Sequence, residues 1–141
     1  ATREVPVLFE APLAAGLVGA FVQAVSGGAL YRKASFLDGC LGQAVLAEHL
    51  DLNEDPHQIK GKGSAMFDDE GVATRPRKVV EAGRVLGYFL SSYSARKLGM
   101  RTTGHAGGAH NLAMTSRLTQ PGDDLEAMLR RLDRVSPGYR D

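Results

Sequence analysis

An α+β fold with an antiparallel sheet and a buried Gly/Ala-rich helix is what this sequence predicts, on three observations. From residue 11 to 31 no side chain is charged, and Leu13, Leu17, Phe21 and Val25 recur at i+4 spacing, the apolar stripe of a helix. Between Lys78 and Leu90 two apolar runs flank Glu81-Ala82-Gly83-Arg84, the pattern of a hairpin around a tight turn. The 141 residues include 17 Gly and no Trp, which suggests many tight turns and close backbone approaches rather than a bulky aromatic core.

Along the chain, Val5 to Phe9 is a short apolar strand candidate. Pro12, acceptable in a first helical turn, opens the helix from 12 to 26, with Val18 and Val22 widening its apolar face. Gly27 and Gly28 are suited to a left-handed cap. Residues 29 to 36 then read as irregular, with a second short helix near 38 to 48. The glycines and polar alternation from His57 to Phe67 favour a strand with a bulge or turn. After the 78–90 hairpin, Ser91 to Leu98 reads as a helix ended by Gly99, and a strand is expected near Asn111 to Met114. Pro121-Gly122 is a turn. Asp123 and Asp124 then begin a helix with Leu125, Met128, Leu129 and Leu132 on one face and Arg130, Arg131 and Arg134 towards the end where the helix dipole favours cations. These elements make a single domain over 1–135, with 136–141 as a frayed tail.

Composition narrows the function. A net charge of +1 gives no global attraction to nucleic acid or an anionic membrane. The sum hides two segments of opposite sign, with eight acids against two bases over 38–70 and seven bases against one acid over 71–101, which read as faces attracting each other within one fold. Cys40 is alone, so no internal disulfide forms and a reducing cytoplasm is the expected setting. The uncharged run from 11 to 31 contains Pro12, Gln23 and four glycines, which argues for a soluble helix with its stop signal rather than a membrane span. Glu10 and the lack of a basic leader argue against a secretory signal, and the absence of an initial Met suggests a piece of a longer protein.

Few residues carry specific chemistry. His105 and His110 are five apart, on opposite faces of a strand and about 140° apart around a helix, so regular structure cannot bring both to one zinc ion; only a bend in the glycine-rich loop could. His49 and His57 flank an acidic stretch with Asp51, Glu54 and Asp55 that reads as solvent-exposed. Gly61-Lys62-Gly63-Ser64 and Gly104-His105-Ala106-Gly107-Gly108 offer backbone amides to an anion, but neither matches a phosphate-binding loop, and turn chemistry explains both. Ser91-Ser92-Tyr93-Ser94 presents hydroxyls that suit a peptide or, equally, a helix cap.

Five runs in order closely resemble one family: Val7-Leu8-Phe9-Glu10-Ala11-Pro12, Ser26-Gly27-Gly28-Ala29-Leu30-Tyr31-Arg32-Lys33, Phe67-Asp68-Asp69-Glu70-Gly71-Val72, Leu90-Ser91-Ser92-Tyr93-Ser94-Ala95-Arg96-Lys97-Leu98-Gly99 and Thr102-Thr103-Gly104-His105-Ala106-Gly107-Gly108. They are similar to the PmbA (TldE) branch of the TldD/PmbA family, over about residues 5 to 114. The resemblance implies the opening part of that family's C-terminal domain. It also implies a cytoplasmic two-subunit metallopeptidase system for peptide maturation or degradation, in which a TldD-type chain carries zinc on a His-Glu-x-x-x-His helix and pairs with the PmbA-type chain. Aligned through Arg32-Lys33, the motif positions of that helix are Gly19, Ala20 and Ala24 here, so the resemblance implies no catalytic residue, metal or other cofactor in this chain, and zinc on the TldD-type partner. The likeness fades after about Asp133.

The expected function is therefore a non-metal subunit acting on peptides beside a zinc-bearing partner. Arg32, Lys33, Ser35, Ser92 and Arg96 are the candidate contacts to that partner or to peptide, against the plainer reading that they cap and cross-link the fold. Self-association of the chain is a further expectation. Two rivals remain: an autonomous metal-dependent hydrolase using His105 and His110, and a regulatory module acting on DNA-handling proteins, suggested by the family's old label of DNA gyrase modulator and by the basic 71–101 segment.

Overall fold

The sheet grows outward from the hairpin. The computed structural model describes residue 2 and residues 4–135, in the order α1 (Ala11–Ala24), α2 (Gly27–Tyr31), β1 (Leu50–Glu54), β2 (Arg77–Glu81), β3 (Arg84–Val85), α3 (Ser92–Lys97), β4 (Leu112–Ser116) and α4 (Leu125–Val135). β2 and β3 are joined by Ala82 and Gly83, with φ of 48° and 74°, the double positive φ of a two-residue hairpin turn. Glycine is required at 83 for a second reason: a Cβ there would run into the carbonyl oxygens of Leu46 and Ala47.

All pairings are antiparallel, in the strand order β3-β2-β1-β4. The register lines up Val85, Val80, Leu52 and Met114 in one apolar row, of which the first three have no exposed surface. The chain then leaves β3 and runs back past α1 and α2. Phe89 N–H donates to Val25 O at 3.1 Å and Gly27 N–H to Phe89 O at 2.8 Å, which clamps the α1–α2 junction to the end of the sheet. α3 follows with Ser91 as N-cap in a reciprocal box with Ser94, and its Arg96 and Lys97 lie in the last turn. Turn, helix and strand after Gly99 fall where the sequence places them, β4 a little later and α4 capped by Asp124, whose Oδ1 accepts from Ala127 N–H at 2.8 Å.

Several expectations fail, each for a local reason. Residues 5–9 find no strand to pair with, and Val7 lies largely and Phe9 about half in solvent. Gly27 and Gly28 do not form a left-handed cap; they open α2, and Gly27 is there because a Cβ would strike the Ser94 side chain. No helix forms over 38–48, where the chain turns at Gly39 and Gly42, with φ of 75° and 78°. The expected strand over 57–67 is a series of turns, and the strand lies instead at β1, in the acidic stretch read as exposed.

The helix expected to be buried is only half so. Phe21 is 8% exposed and Val25 not at all, but Leu13 and Leu17 are 64% and 56% exposed. Only the last turns of α1 meet α2 and the sheet. Its first turns lie beside β4 across a groove of about 510 Å³ lined by Ala11, Ala15, Val18, Gly19, Leu112 and Met114. α4 likewise carries its apolar stripe outward, with Leu125 and Leu129 about half exposed. Among the described residues no helix is long and apolar enough to cross a membrane. The tail expected over 136–141 lies outside the described residues.

Candidate functional site

Where β1 ends and β2 begins, charge is buried. Glu54 and Arg77 are cross-strand partners, and Arg77 Nε donates to Glu54 Oε1 at 2.9 Å. The Glu54 side chain has no exposed surface. Its other donors come from the glycine-rich loop: His105 Nε2 lies 2.7 Å from Oε1, and the His110 N–H donates to Oε2 at 3.0 Å. Burial pushes the Glu54 carboxyl up, but the hydrogen bonds from His105, the His110 amide and Arg77 overcome it and hold the carboxyl at about 2. Arg77 also donates to Tyr88 O at 2.7 Å and faces the Phe89 ring at 4.6 Å, while His105 meets the same ring edge-on at 5.0 Å.

Asp68 fixes the other side of the loop. Its buried carboxylate accepts from the amides of Glu70, Val72 and Ala106 at 2.9 to 3.0 Å, so the Phe67–Val72 block is tied directly to Gly104–Gly108. Thr103 Oγ1 lies 2.7 Å from His105 Nδ1 and accepts from Leu90 N–H at 2.7 Å. Between the loop, α2 and α3 remains a cleft of about 280 Å³ lined by Tyr31, Phe89 and Tyr93, by Ser26, Ser91 and Ser94, and by the backbone of Gly27, Gly28, Gly107 and Gly108. Tyr31 and Tyr93 meet edge to face at 5.7 Å.

The predicted contact residues divide into two groups. Ser35 and Ser92 are half-buried: Ser35 Oγ donates to Ala24 O at 2.5 Å and accepts from Leu37 N–H, while the backbone N–H of Ser92, not its hydroxyl, donates to Glu70 Oε1 at 3.0 Å. Arg32, Lys33 and Arg96 are exposed. Lys33, at φ 56°, pairs with Asp38 at 2.7 Å, while Arg32 lies against the Tyr31 ring at 5.9 Å. The hydroxyls of Ser91 and Ser94 are engaged in the α3 cap. Sequence reasoning missed Glu54, Arg77 and the two tyrosines. The available signal was the opposite charge of the 38–70 and 71–101 segments, one buried product of which is the Glu54–Arg77 pair.

The glycine-rich loop does bend His105 and His110 together, with ring centroids 5.2 Å apart. Their nitrogens face other partners, however: the His110 ring lies between the carbonyl oxygens of Gly63 and Gly104, each at 3.2 Å. No group of three or more His, Cys, Asp or Glu among the described residues is arranged to hold a metal ion. Zinc does not fit α1, since Gly19, Ala20 and Ala24 offer no side-chain nitrogen, oxygen or sulfur, and a Cβ built on Gly19 meets nothing within 4 Å. The Gly61–Ser64 loop is turn chemistry, held by Asn111, whose Oδ1 accepts from Gly63 N–H at 2.9 Å and whose Nδ2 donates to Ser64 Oγ at 2.7 Å.

Residues 2–135 match the family described as the PmbA/TldA metallopeptidase C-terminal domain. A metalloprotease PmbA homolog of Haemophilus influenzae is 47% identical over 131 residues, which are 93% of this chain and 28% of that protein. Among solved structures, a protein of Bacteroides thetaiotaomicron assigned as a candidate modulator of DNA gyrase superposes with a TM-score of 0.67 at 34% identity, over 72% of this chain and 23% of that one. TldE of Thermococcus kodakarensis gives 0.62 at 25% identity, over 83% and 29%. The chain thus spans less than a third of the length of each relative.

Proposed function

The chain belongs to the PmbA/TldD metallopeptidase family, and on that premise we propose that it is the non-metal, TldE-type part of a two-subunit peptidase that matures or degrades peptides. The observation that carries this reading is α1. At the positions where the zinc-bearing branch has its motif, Gly19, Ala20 and Ala24 supply neither a ligand nor a carboxylate to act as general base. Zinc then belongs to a TldD-type partner, and this chain contributes shape and peptide contacts beside it. The cytoplasm is the setting that reading implies.

The rival hydrolase through His105 and His110 is weakened by the commitments of those rings to Glu54, Thr103 and two carbonyl oxygens. The DNA-directed rival is weakened in the same way. Arg77, Lys78 and Arg84 of the basic segment bind Glu54, Glu81 and Gly42 O within the chain, leaving a shorter cationic surface for phosphate.

The test is metal analysis of the purified chain after equilibration with zinc, alone and after capture by a TldD-type subunit. Zinc is expected only in the complex, on the partner. About one zinc per chain in the isolated protein, lost on His105→Ala or His110→Ala, would overturn the proposal.

A further inference from the structure

The geometry points to the cleft between α2, α3 and the glycine-rich loop as the seat of a peptide's C-terminal residue, with an apolar side chain against Tyr31 and Tyr93 and the terminal carboxylate on Arg32. The inference rests on the peptide-handling reading above, but it needs neither zinc nor a partner chain.

The size and walls of the cleft come first. At about 280 Å³ it holds a side chain, and two tyrosines packed edge to face, with Phe89 also in the lining, give it apolar walls. Glycine keeps it open. A Cβ built on Gly28 meets only the Arg32 guanidinium, with Nη2 at 3.7 Å, and one built on Gly108 meets nothing within 4 Å.

The charge at its edge comes second. The same 3.7 Å puts the Arg32 guanidinium beside Gly28, and its carbon is 5.9 Å from the centre of the ring of Tyr31; Gly28 and Tyr31 both line the cleft. Lys97 stands 5.5 Å from the centre of the Tyr93 ring. Neither cation has a carboxylate partner among the described residues, unlike Lys33 next to Arg32, which is paired with Asp38. A guanidinium beside a ring and left without a counter-ion is set to accept a carboxylate.

Acids bound the choice of ligand. The Asp69 carboxylate lies where a Cβ on Gly107 would be, and Glu70 accepts from Ser92 N–H. A second anionic group reaching along the cleft to Gly107 would come up against the Asp69 carboxylate. The arrangement asks for an apolar group and a single anion within one residue, and in a peptide of ordinary composition the C-terminal residue supplies both from one Cα.

Direct binding tests this, read by fluorescence anisotropy with two N-terminally labelled probes, Gly-Gly-Ser-Gly-Phe with a free carboxylate and the same peptide amidated. The free acid is expected to bind, the amide about tenfold more weakly, and Arg32→Gln to bring the acid down to the level of the amide. Gly28→Leu fills the cleft at a position with ordinary helical backbone, so its urea midpoint should hold while binding is lost. Equal affinity for acid and amide, full binding by Gly28→Leu, or no binding of either peptide by the unaltered chain would each overturn the inference. Zinc retained by the isolated chain would sink the subunit assignment without moving these readings, so the two failures are distinguishable.

Discussion

Glu54 and Leu17 stand the usual distribution of residues on its head. A carboxylate with no exposed surface sits at the end of the sheet, while a leucine on an uncharged helix lies 56% in solvent. The difference lies in what each position is offered. Glu54 receives a guanidinium, an imidazole and a backbone amide, enough to replace the water that a buried carboxylate gives up. Leu17 has no second layer to meet, because α1 is anchored to the sheet only through its last turns. Burial in this chain follows the partners available more closely than the polarity of the side chain.

The largest break in that comparison should come from Glu54 itself. Glu54→Ala leaves a half-buried Arg77 and a buried His105 around an empty space, and we expect a loss of about 3 kcal/mol, read as a lower urea midpoint at pH 7. The effect should depend on pH with a definite sign. With its carboxyl held at about 2, against an ordinary 4.5, Glu54 contributes stability that is fully present above 4.5 and is lost as pH falls towards 2. The gap between the unaltered chain and Glu54→Gln should therefore be widest at neutral pH and narrow steadily between pH 4.5 and 3. A gap that is constant over that range would show that the ion pair is not what the carboxylate contributes.

Phe21→Ala sharpens the comparison within one helix. The ring is 8% exposed and packs where α1 meets the sheet, so its removal should cost about 3 kcal/mol in the same urea measurement. The helix content seen by circular dichroism should survive at low denaturant, since the other turns of α1 do not depend on that ring.

How much of this was legible in the sequence follows the range over which each signal acts. The 81–84 hairpin and the Ser91 cap are decided by residues within a turn of one another, and both form where the local pattern puts them. The strand at Leu50–Glu54 was hidden because its pattern is set by long-range pairs: Leu52 opposite Val80 and Met114, and Glu54 opposite Arg77 and Leu112. Read alone, Asp51, Glu54 and Asp55 look like a solvated loop. The site divides in the same way. Arg32 was visible as a cation in a family block, but the tyrosine walls beside it come from segments 62 residues apart, joined only when Phe89 clamps the α1–α2 junction. Helix periodicity predicted a buried stripe on α1 correctly in kind but not in extent, because a period says which face is apolar and nothing about how much of that face the rest of the chain covers.

The smallest expected effect is the most telling about α1. Leu17→Ser removes a large apolar side chain from the middle of the helix, a change that in a core position would cost several kcal/mol. Here it should move stability by about 0.5 kcal/mol or less, since the side chain already lies mostly in water and the residual cost is the slightly lower helix propensity of serine. Measured beside Phe21→Ala, the pair separates the anchored turn of α1 from the free one. A loss at Leu17 approaching that at Phe21 would mean that this face is covered in solution, with the groove beside Leu112 and Met114 as the first place to look for what covers it.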